Sequence, residues 1–493
     1  MRQVVRDFVR RAEEGDFLAV VDDEGEHTAR ELLRRAHELA AVLDENATVL
    51  AQADNSWRTV AATLAVGLRG CVLALVNRHT TAAEFASAFD DIRPDAVPAE
   101  PSALDEWSVA PLVDGTSHAV FDGWVVCTST AVRDASRWAG GTLIGLTSGA
   151  TGRAKGVVQT EDALRYACTS TAEINGLREG DAIAAIVPLS SAAAYTFGVY
   201  LGLLLRGALV LRGKWEPPAV LDRLARNHVR WTMCVPTMAL QLAAAAGGSR
   251  PLSGVRSITV GGGPMDAAAL ARAENALGTR VLRVFGMSEC LGHTSPRPDE
   301  PAEIRLGCDG RPFADTVVRA VDADGAVLAT GEVGRAQVRG PSLFLGYARS
   351  GAVEPAEVTP DGFFPTGDLV VVHGNGTITI MGREKDVIIR GGRNIDITEV
   401  ERAVASCPRV DLACVVPVPD ELLGERVAAL VVTADDRPMA LDELVGHLRS
   451  AGLAKTKWPE FVFAVPDVPK TKVGKVSRAA ARDMARELHA GME

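Results

Sequence analysis

Residues 143–160 read LIGLTSGATGRAKGVVQT, an apolar run leading into Thr147, Ser148, Gly149, Thr151, Gly152, Lys155 and Gly156. Glycines let backbone N–H groups approach an oxyanion, hydroxyls add donors and a lysine adds positive charge, so the composition suits a triphosphate. Taken alone, such a stretch is more often a surface turn. Its spacing does remove one competitor. A Walker loop, G-x-x-x-x-G-K-[ST], needs glycine immediately before its lysine and a hydroxyl after it, whereas Lys155 lies between Ala154 and Gly156.

Seven more chemistry-bearing segments succeed it along the chain: PLSSAAAYTFG, GGGPM, FGMSE, GEVGRAQVRGPSLFLGY, DGFFPTGDL, GREKDVIIRGGRNIDITEVE and KTKVGKVSR. Each has a bland reading by itself. A Ser-Glu after a strand can open a helix, an aspartate or a Gly-Gly pair can make a turn, and a lysine-rich tail is usually a solvated face. In this order, however, they resemble the signature motifs of the ANL superfamily, which comprises acyl- and aryl-CoA synthetases, peptide-synthetase adenylation domains and luciferases. The resemblance covers nearly the whole chain from Thr147 onward.

The resemblance implies an AMP-forming acyl-CoA synthetase, an acid–thiol ligase that makes an acyl-AMP from ATP and then a thioester with coenzyme A. Attack of a carboxylate on the α-phosphorus needs negative charge neutralised on both sides of the reacting centre. Lys475 of KTKVGKVSR matches the lysine that bridges carboxylate and α-phosphate. In FGMSE, Phe285 matches the adenine-stacking aromatic, with Gly286 and Met287 beside it. Ser288 matches the α-phosphate hydroxyl and Glu289 the Mg2+ carboxylate, an oxygen ligand of the kind a hard cation wants. Asp368 would accept from both ribose hydroxyls and Arg383 would meet the ribose. Gly263 and Pro264 would form a backbone wall against adenine. Lys385 matches the pivot of a hinge at residues 383–386, about which the small domain turns between two poses. Gly391 and Gly392 would let pantetheine pass, with Arg390 and Arg393 near the coenzyme A phosphates.

The acyl pocket is expected at Tyr195, Phe197, Gly198, Gly261 and Gly262. Pro188 to Tyr200 contains no acid to hold an α-ammonium, which argues against an amino acid substrate. Small and apolar residues there favour a fatty, aryl or polycyclic/terpenoid acid. Four positions depart from the family pattern: Ala150 for Ser or Thr, Ala154 for Pro, Tyr195 for a histidine, and Arg283 where an amide or carboxylate usually meets the adenine amine. Two alternatives stay open, an acyl-AMP ligase that loads a carrier-protein pantetheine and an impaired acyl-nucleotide binding protein.

These residues need elements to hold them. From about Ala182 to Gly286, β-rich runs (AIAAIVP, ALVL, WTMCVP, SITVGG, RVLRVFG) alternate with helical patterns (PAVLDRLARNHV, DAAALARAENAL), the rhythm of βαβ units. Beyond Leu306, hairpin patterns (VVRAVDADGAVLA, GRAQVRG, TITIMG) suggest a β-rich subdomain. After GREKD a helix, two strands and a second helix begin again. The expected fold class is therefore α/β: residues 1–382 as a large domain of parallel sheets plus a β-rich subdomain, and 387–493 as a small mobile α+β domain.

A net charge of −11 argues against broad binding to nucleic acid or anionic membrane. The eight cysteines form no C-x-x-C pair and read as reduced. MRQVVRDFVRRAEEGDF mixes acids with bases and reads as an amphipathic helix, not a signal peptide. Gly198 to Leu211, interrupted by Arg206, falls short of the ~20 residues of a membrane span. Cytoplasm is the expected compartment, and the assembly is open between monomer and homodimer.

Overall fold

The computed structural model describes residues 1–110, 112–130, 134–147, 154–263, 266–435, 437–472 and 474–491. Within them, five strands foreseen between Ala182 and Gly286 join two from the N-terminal region in a seven-stranded sheet. Its order is Arg280–Arg283, Ser257–Val260, Trp231–Cys234, Ile183–Ala185, Leu209–Leu211, Leu18–Val21 and Glu26–Thr28. Every pairing is parallel except the last. Strands buried on both faces by crossover helices read as continuous apolar runs, which is the texture of SITV and WTMC. The crossover helices start where the chemistry favours it: Pro217 and Pro236 stand at first helical positions, and the Asp266 side chain accepts from the Ala269 N–H.

The register fixes the floor of a cleft. Cys234 pairs with Val260 and Val260 with Arg283, so three strands end in one row. The segments just beyond their ends, Val235–Pro236, Gly261–Gly263 and Val284–Phe285, lie along that row, where ligands of open parallel sheets bind.

A nine-stranded sheet drawn mostly from the first 160 residues has parallel central strands Leu143–Thr147, Val72–Val76, Thr48–Gln52 and Ala96–Ala99. Lys155–Gln159 and Gly346–Arg349 extend it antiparallel. The β-rich expectation beyond Leu306 appears as an antiparallel sheet of Val317–Val321, Val333–Arg339, Phe364–Val372 and Ile378–Arg383.

Ile378–Arg383 belongs to that sheet, whereas Val387–Arg390 belongs to a separate five-stranded sheet with Arg393–Asp396, Val410–Asp420, Gly424–Thr433 and Phe461–Ala464. Helices Ile397–Ala405, capped by Asp396, and Arg478–Ala490, capped by Ser477, cover its two faces. The α/β class with a strand-rich C-terminal region is as expected. The buried apolar clusters respect the division: Ile388, Val400, Val415, Leu444 and Leu448 form one and Cys414, Val416, Leu430 and Ala481 another, with every member beyond residue 387. All eight cysteines are free. Among the described residues, no helix is long and apolar enough to cross a membrane.

Candidate active site

The phosphate-loop strands form a hairpin in which Thr147 pairs with Lys155, and the Thr147 hydroxyl donates to the Lys155 carbonyl at 3.3 Å. Ser148, Gly149, Ala150, Thr151 and Gly152, between these strands, lie outside the described residues, as does Pro264. Lys155 Nζ stands 4.9 Å over the ring of Tyr347, whose hydroxyl donates to Glu289 Oε1 at 2.9 Å. Burial and the nearby Glu289 charge raise the Tyr347 phenol well above its ordinary range, so it stays a donor. Tyr347 thus links the loop lysine to the expected metal carboxylate. It is the last letter of GEVGRAQVRGPSLFLGY, and nothing in the sequence assigns it this role.

Ser288 and Glu289 do not open a helix. They form the turn of a hairpin between Phe285–Met287 and Cys290–Ser295, where Met287 pairs with Cys290. The turn is pinned by backbone contacts: Gln159 Nε2 donates to the Ser288 carbonyl at 2.8 Å and the Phe344 N–H to the Glu289 carbonyl at 2.8 Å. The Glu289 carboxylate therefore sits on a fixed base. Among the described residues, no group of three or more His, Cys, Asp or Glu could hold a metal by itself. A cation here must take its other ligands from the triphosphate and water, which is how magnesium is usually held.

On the nucleoside side, Asp368 is 4% exposed. Its Oδ1 accepts from Arg383 Nε at 3.2 Å, and its Oδ2 is buried with no partner among the described residues. Burial raises the carboxyl, with the Arg383 charge and the Thr366 hydroxyl pulling it down. An orphaned acceptor of this kind fits a ribose hydroxyl, because a buried polar atom left without a partner is costly. Phe285 lies edge-on to His293, ring centroids 4.8 Å apart. Arg283 is taken up by Asp309 in a bidentate pair at 2.8 and 2.9 Å, and Asp309 Oδ2 also accepts from the Ile380 N–H at 2.8 Å. The departure at Arg283 therefore brings its own counter-ion.

Lys475 reaches this cleft from the small domain. A Cβ added to Gly262 would lie 2.8 Å from Lys475 Cε and 3.0 Å from Nζ, so the end of the lysine passes directly over this glycine, whose φ of +85° itself disfavours a side chain. The loop is held on both flanks: the Thr237 hydroxyl donates to the Gly474 carbonyl at 3.1 Å, and Lys472 pairs with Glu84. The cleft is open and Lys475 still meets water, but the surrounding walls enclose it. That desolvation, and then the Arg383 charge, hold its ammonium below the usual lysine range, while Glu289 pulls it up. Lys475, Glu289, Asp368 and Arg383 thus share one electrostatic neighbourhood.

On the acyl side, Thr196–Tyr200 is a π-turn inside the helical run Ala192–Leu205, a device common at functional sites. It turns Phe197 toward Gly292, where an added Cβ would meet the ring at 2.5 Å, and sets Gly198 against Ala185. Gly261 packs against Val284 and Gly263 faces Pro236. Tyr195 corrects an expectation. Expected in the acyl pocket, it is fully buried in the core, with its hydroxyl 3.0 Å from Thr63 Oγ1. A tyrosine in an apolar core needs a partner for its hydroxyl, and Thr63 supplies it.

The remaining expected residues lie elsewhere. Lys385 is exposed, between Glu384, which pairs with Arg335 at 2.8 Å, and Asp386, which pairs with Arg478 at 3.2 Å. Gly391 and Gly392, with φ +55° and +77°, make the exposed turn of the hairpin Val387–Asp396. Arg390 pairs with Glu460 at 2.6 Å and Arg393 is exposed. Among the described residues, every hydrogen bond and ion pair of this turn stays within the small domain.

A cleft at the C-terminal ends of a parallel sheet, met by a lysine from a C-terminal region with apolar clusters of its own, is the arrangement expected of a nucleotide-dependent class of protein. Residues 8–348 match the AMP-binding enzyme family, and residues 399–475 match the AMP-binding enzyme C-terminal domain. The chain belongs to this family, the adenylate-forming enzymes of the ANL superfamily. It is 39% identical over 69% of its length to triostin synthetase I of Streptomyces triostinicus, spanning 64% of that protein. It is 30% identical over 96% of its length to a salicylyl-CoA synthase / salicylate adenylyltransferase of Streptomyces, spanning 91% of that protein. It is 34% identical over 71% of its length to the 2,3-dihydroxybenzoate-AMP ligase of Bacillus subtilis, spanning 65% of it. Among solved structures, ATP-bound MatB of Rhodopseudomonas palustris superposes with TM-score 0.84 at 26% identity, covering 99% of each chain. The amide bond synthetase McbA of Marinactinospora thermotolerans superposes at 0.82, 26% identity, covering 97% of this chain and 99% of McbA.

Proposed function

We propose that the chain activates a hydrophobic carboxylic acid as its acyl-AMP and passes the acyl group to the thiol of coenzyme A. The observation that carries this reading is the approach of Lys475 to Gly262, within electrostatic reach of Glu289 and of the Arg383 that pairs with Asp368. A carboxylate oxygen attacks the α-phosphorus, the bond to the β-phosphate oxygen breaks, and pyrophosphate leaves. Lys475 neutralises the charge gathering on the carboxylate and the α-phosphate oxygens, while the phosphate loop and Lys155 hold the departing pyrophosphate. Glu289 would hold Mg2+, which draws charge off the phosphate oxygens. Asp368 and Arg383 fix the ribose and Phe285 the base. In the second step the thiol attacks the acyl carbon and AMP departs, with Gly391, Gly392, Arg390 and Arg393 receiving coenzyme A after the small domain turns about Lys385.

Among acids the aryl class is favoured, because the salicylate and 2,3-dihydroxybenzoate relatives act on aryl acids by name. The names of those two relatives also keep a second acceptor in view: one is a CoA synthase and the other an AMP ligase. A carrier-protein pantetheine is therefore the alternative acceptor. The test is acid-dependent ATP–pyrophosphate exchange over aliphatic, aryl and terpenoid acids, with coenzyme A then added. Exchange should appear with an aryl acid and fall about 100- to 1,000-fold in Lys475→Ala, the range for losing one preorganised charge-stabilising group. No exchange with any acid overturns the reading, and abundant acyl-AMP without acyl-CoA moves the acceptor to a carrier protein.

A further inference from the structure

We infer that Glu84 is a positioning residue for Lys475, acting through Lys472 to seat the lysine loop in the adenylating pose; this rests on the adenylation reading above. Glu84 lies in no motif. It is the third residue of the helix Ala82–Ile92, in the main body, far in sequence from the loop it meets. Its carboxylate is already anchored: the Thr81 N–H donates to Oε2 at 2.8 Å and the Thr81 hydroxyl at 2.9 Å, while the Thr81 oxygen accepts from the Glu84 N–H. This reciprocal capping box fixes the acceptor before the lysine arrives. Lys472, three residues before Lys475, donates to the same Oε2.

Thr471, Gly474 and Lys475 are tied to one another. The Thr471 N–H donates to the Lys475 carbonyl at 2.6 Å, the Lys475 N–H to Thr471 Oγ1 at 3.2 Å, and the Gly474 N–H to the Thr471 carbonyl at 2.9 Å. A displacement of Lys472 is therefore passed to Lys475. Burial works against the Glu84 charge, but Lys472 and the Thr81 hydrogen bonds outweigh it and hold its carboxyl below the ordinary range. Both side chains are partly exposed, 44% for Glu84 and 37% for Lys472, so the pair is reversible and salt-sensitive.

Glu84→Gln isolates the charge, because glutamine also closes a capping box. The variants are Glu84→Gln, Lys472→Met and the pair combined, tested with ATP, pyrophosphate and the acid that gives wild-type exchange. Either single change should lower exchange about two- to five-fold, the range for an exposed pair, and the double variant should fall no further. Transfer from the synthetic acyl-AMP of that acid to the thiol should be unchanged, and so should the thermal midpoint. Raising the salt should bring the wild type down toward the variants. Equal slowing of both half-reactions, or additive losses in the double variant, overturns the inference. A donor–acceptor dye pair, one dye on each domain, reads the pose without turnover. Glu84→Gln should lengthen the mean distance with ATP present, and an unchanged distance overturns the inference even for a chain that shows no exchange.

Discussion

His293 lies directly beside the aromatic expected to stack on the base, and its surroundings permit a worked prediction. The ring is fully buried, with Nδ1 at 2.8 Å from the Cys290 carbonyl and Nε2 without a partner among the described residues. A carbonyl only accepts, so Nδ1 carries the proton and Nε2 presents a bare lone pair. Protonating Nε2 would bury a cation with nothing to receive it. Burial accordingly lowers the pKa from 6.5 to about 4, with the Cys290 hydrogen bond offsetting part of the effect. The unfolded chain takes up this proton near pH 6.5 and the folded chain only near pH 4. The stabilisation is thus complete above pH 6.5 and drains away as the pH falls toward 4. A gap of 2.5 units corresponds to roughly 3 kcal/mol, of which about 2 kcal/mol is gone by pH 5. His293→Asn keeps a donor near Nδ1 and removes the titration. Urea unfolding of both proteins between pH 7 and pH 5 should show the wild type losing about 2 kcal/mol more than the variant, since the carboxylates common to both cancel. A difference between the two that stays constant over this range would refute the reasoning.

Two further substitutions test the cleft. Asp368→Asn removes the charged acceptor awaiting the ribose; a hydrogen bond to a charged group contributes about 1.5–3 kcal/mol, so ATP binding measured by calorimetry should weaken about 10- to 100-fold. Its thermal midpoint should not fall, because a buried carboxylate raised by desolvation is being neutralised. Tyr195→Phe should cost about 1 kcal/mol of stability in denaturant and leave acyl transfer to the thiol unchanged, since Thr63 keeps its own bond to the Thr59 carbonyl. A selective loss of transfer would return Tyr195 to the acyl side.

The features legible in the sequence are those that depend on local pattern. WTMC and SITV read as buried strands, the PAVLDRLAR stretch as a helix, and the motif order points to a nucleotide cleft. Tyr195 escapes such reading because helical position is rotational: a single π-turn beginning at Thr196 sets Phe197 against Gly292 and leaves Tyr195 against Thr63, and no spacing rule foresees it. Ser288-Glu289 is open between helix start and turn because both favour the same residues, and only pairing with Cys290–Ser295 decides. Arg283 reads as a defect because its counter-ion, Asp309, lies 26 residues away and is brought in by a neighbouring loop. The first 140 residues, which supply most of the nine-stranded sheet, carry no chemical motif; the phosphate-loop segment lies on that sheet's strands Leu143–Thr147 and Lys155–Gln159.

The apolar clusters of the small domain close on themselves. Its ties to the main body are polar and dispersed: the Thr237 hydroxyl on Gly474, Glu84 on Lys472, and the Arg402 guanidinium on the Ile380 carbonyl. If the small domain turns as proposed, these polar ties exchange partners with solvent, and Gly474 also parts from the apolar side chains of Val235 and Met238. A joint meant to turn is better fastened by many weak ties than by one strong one.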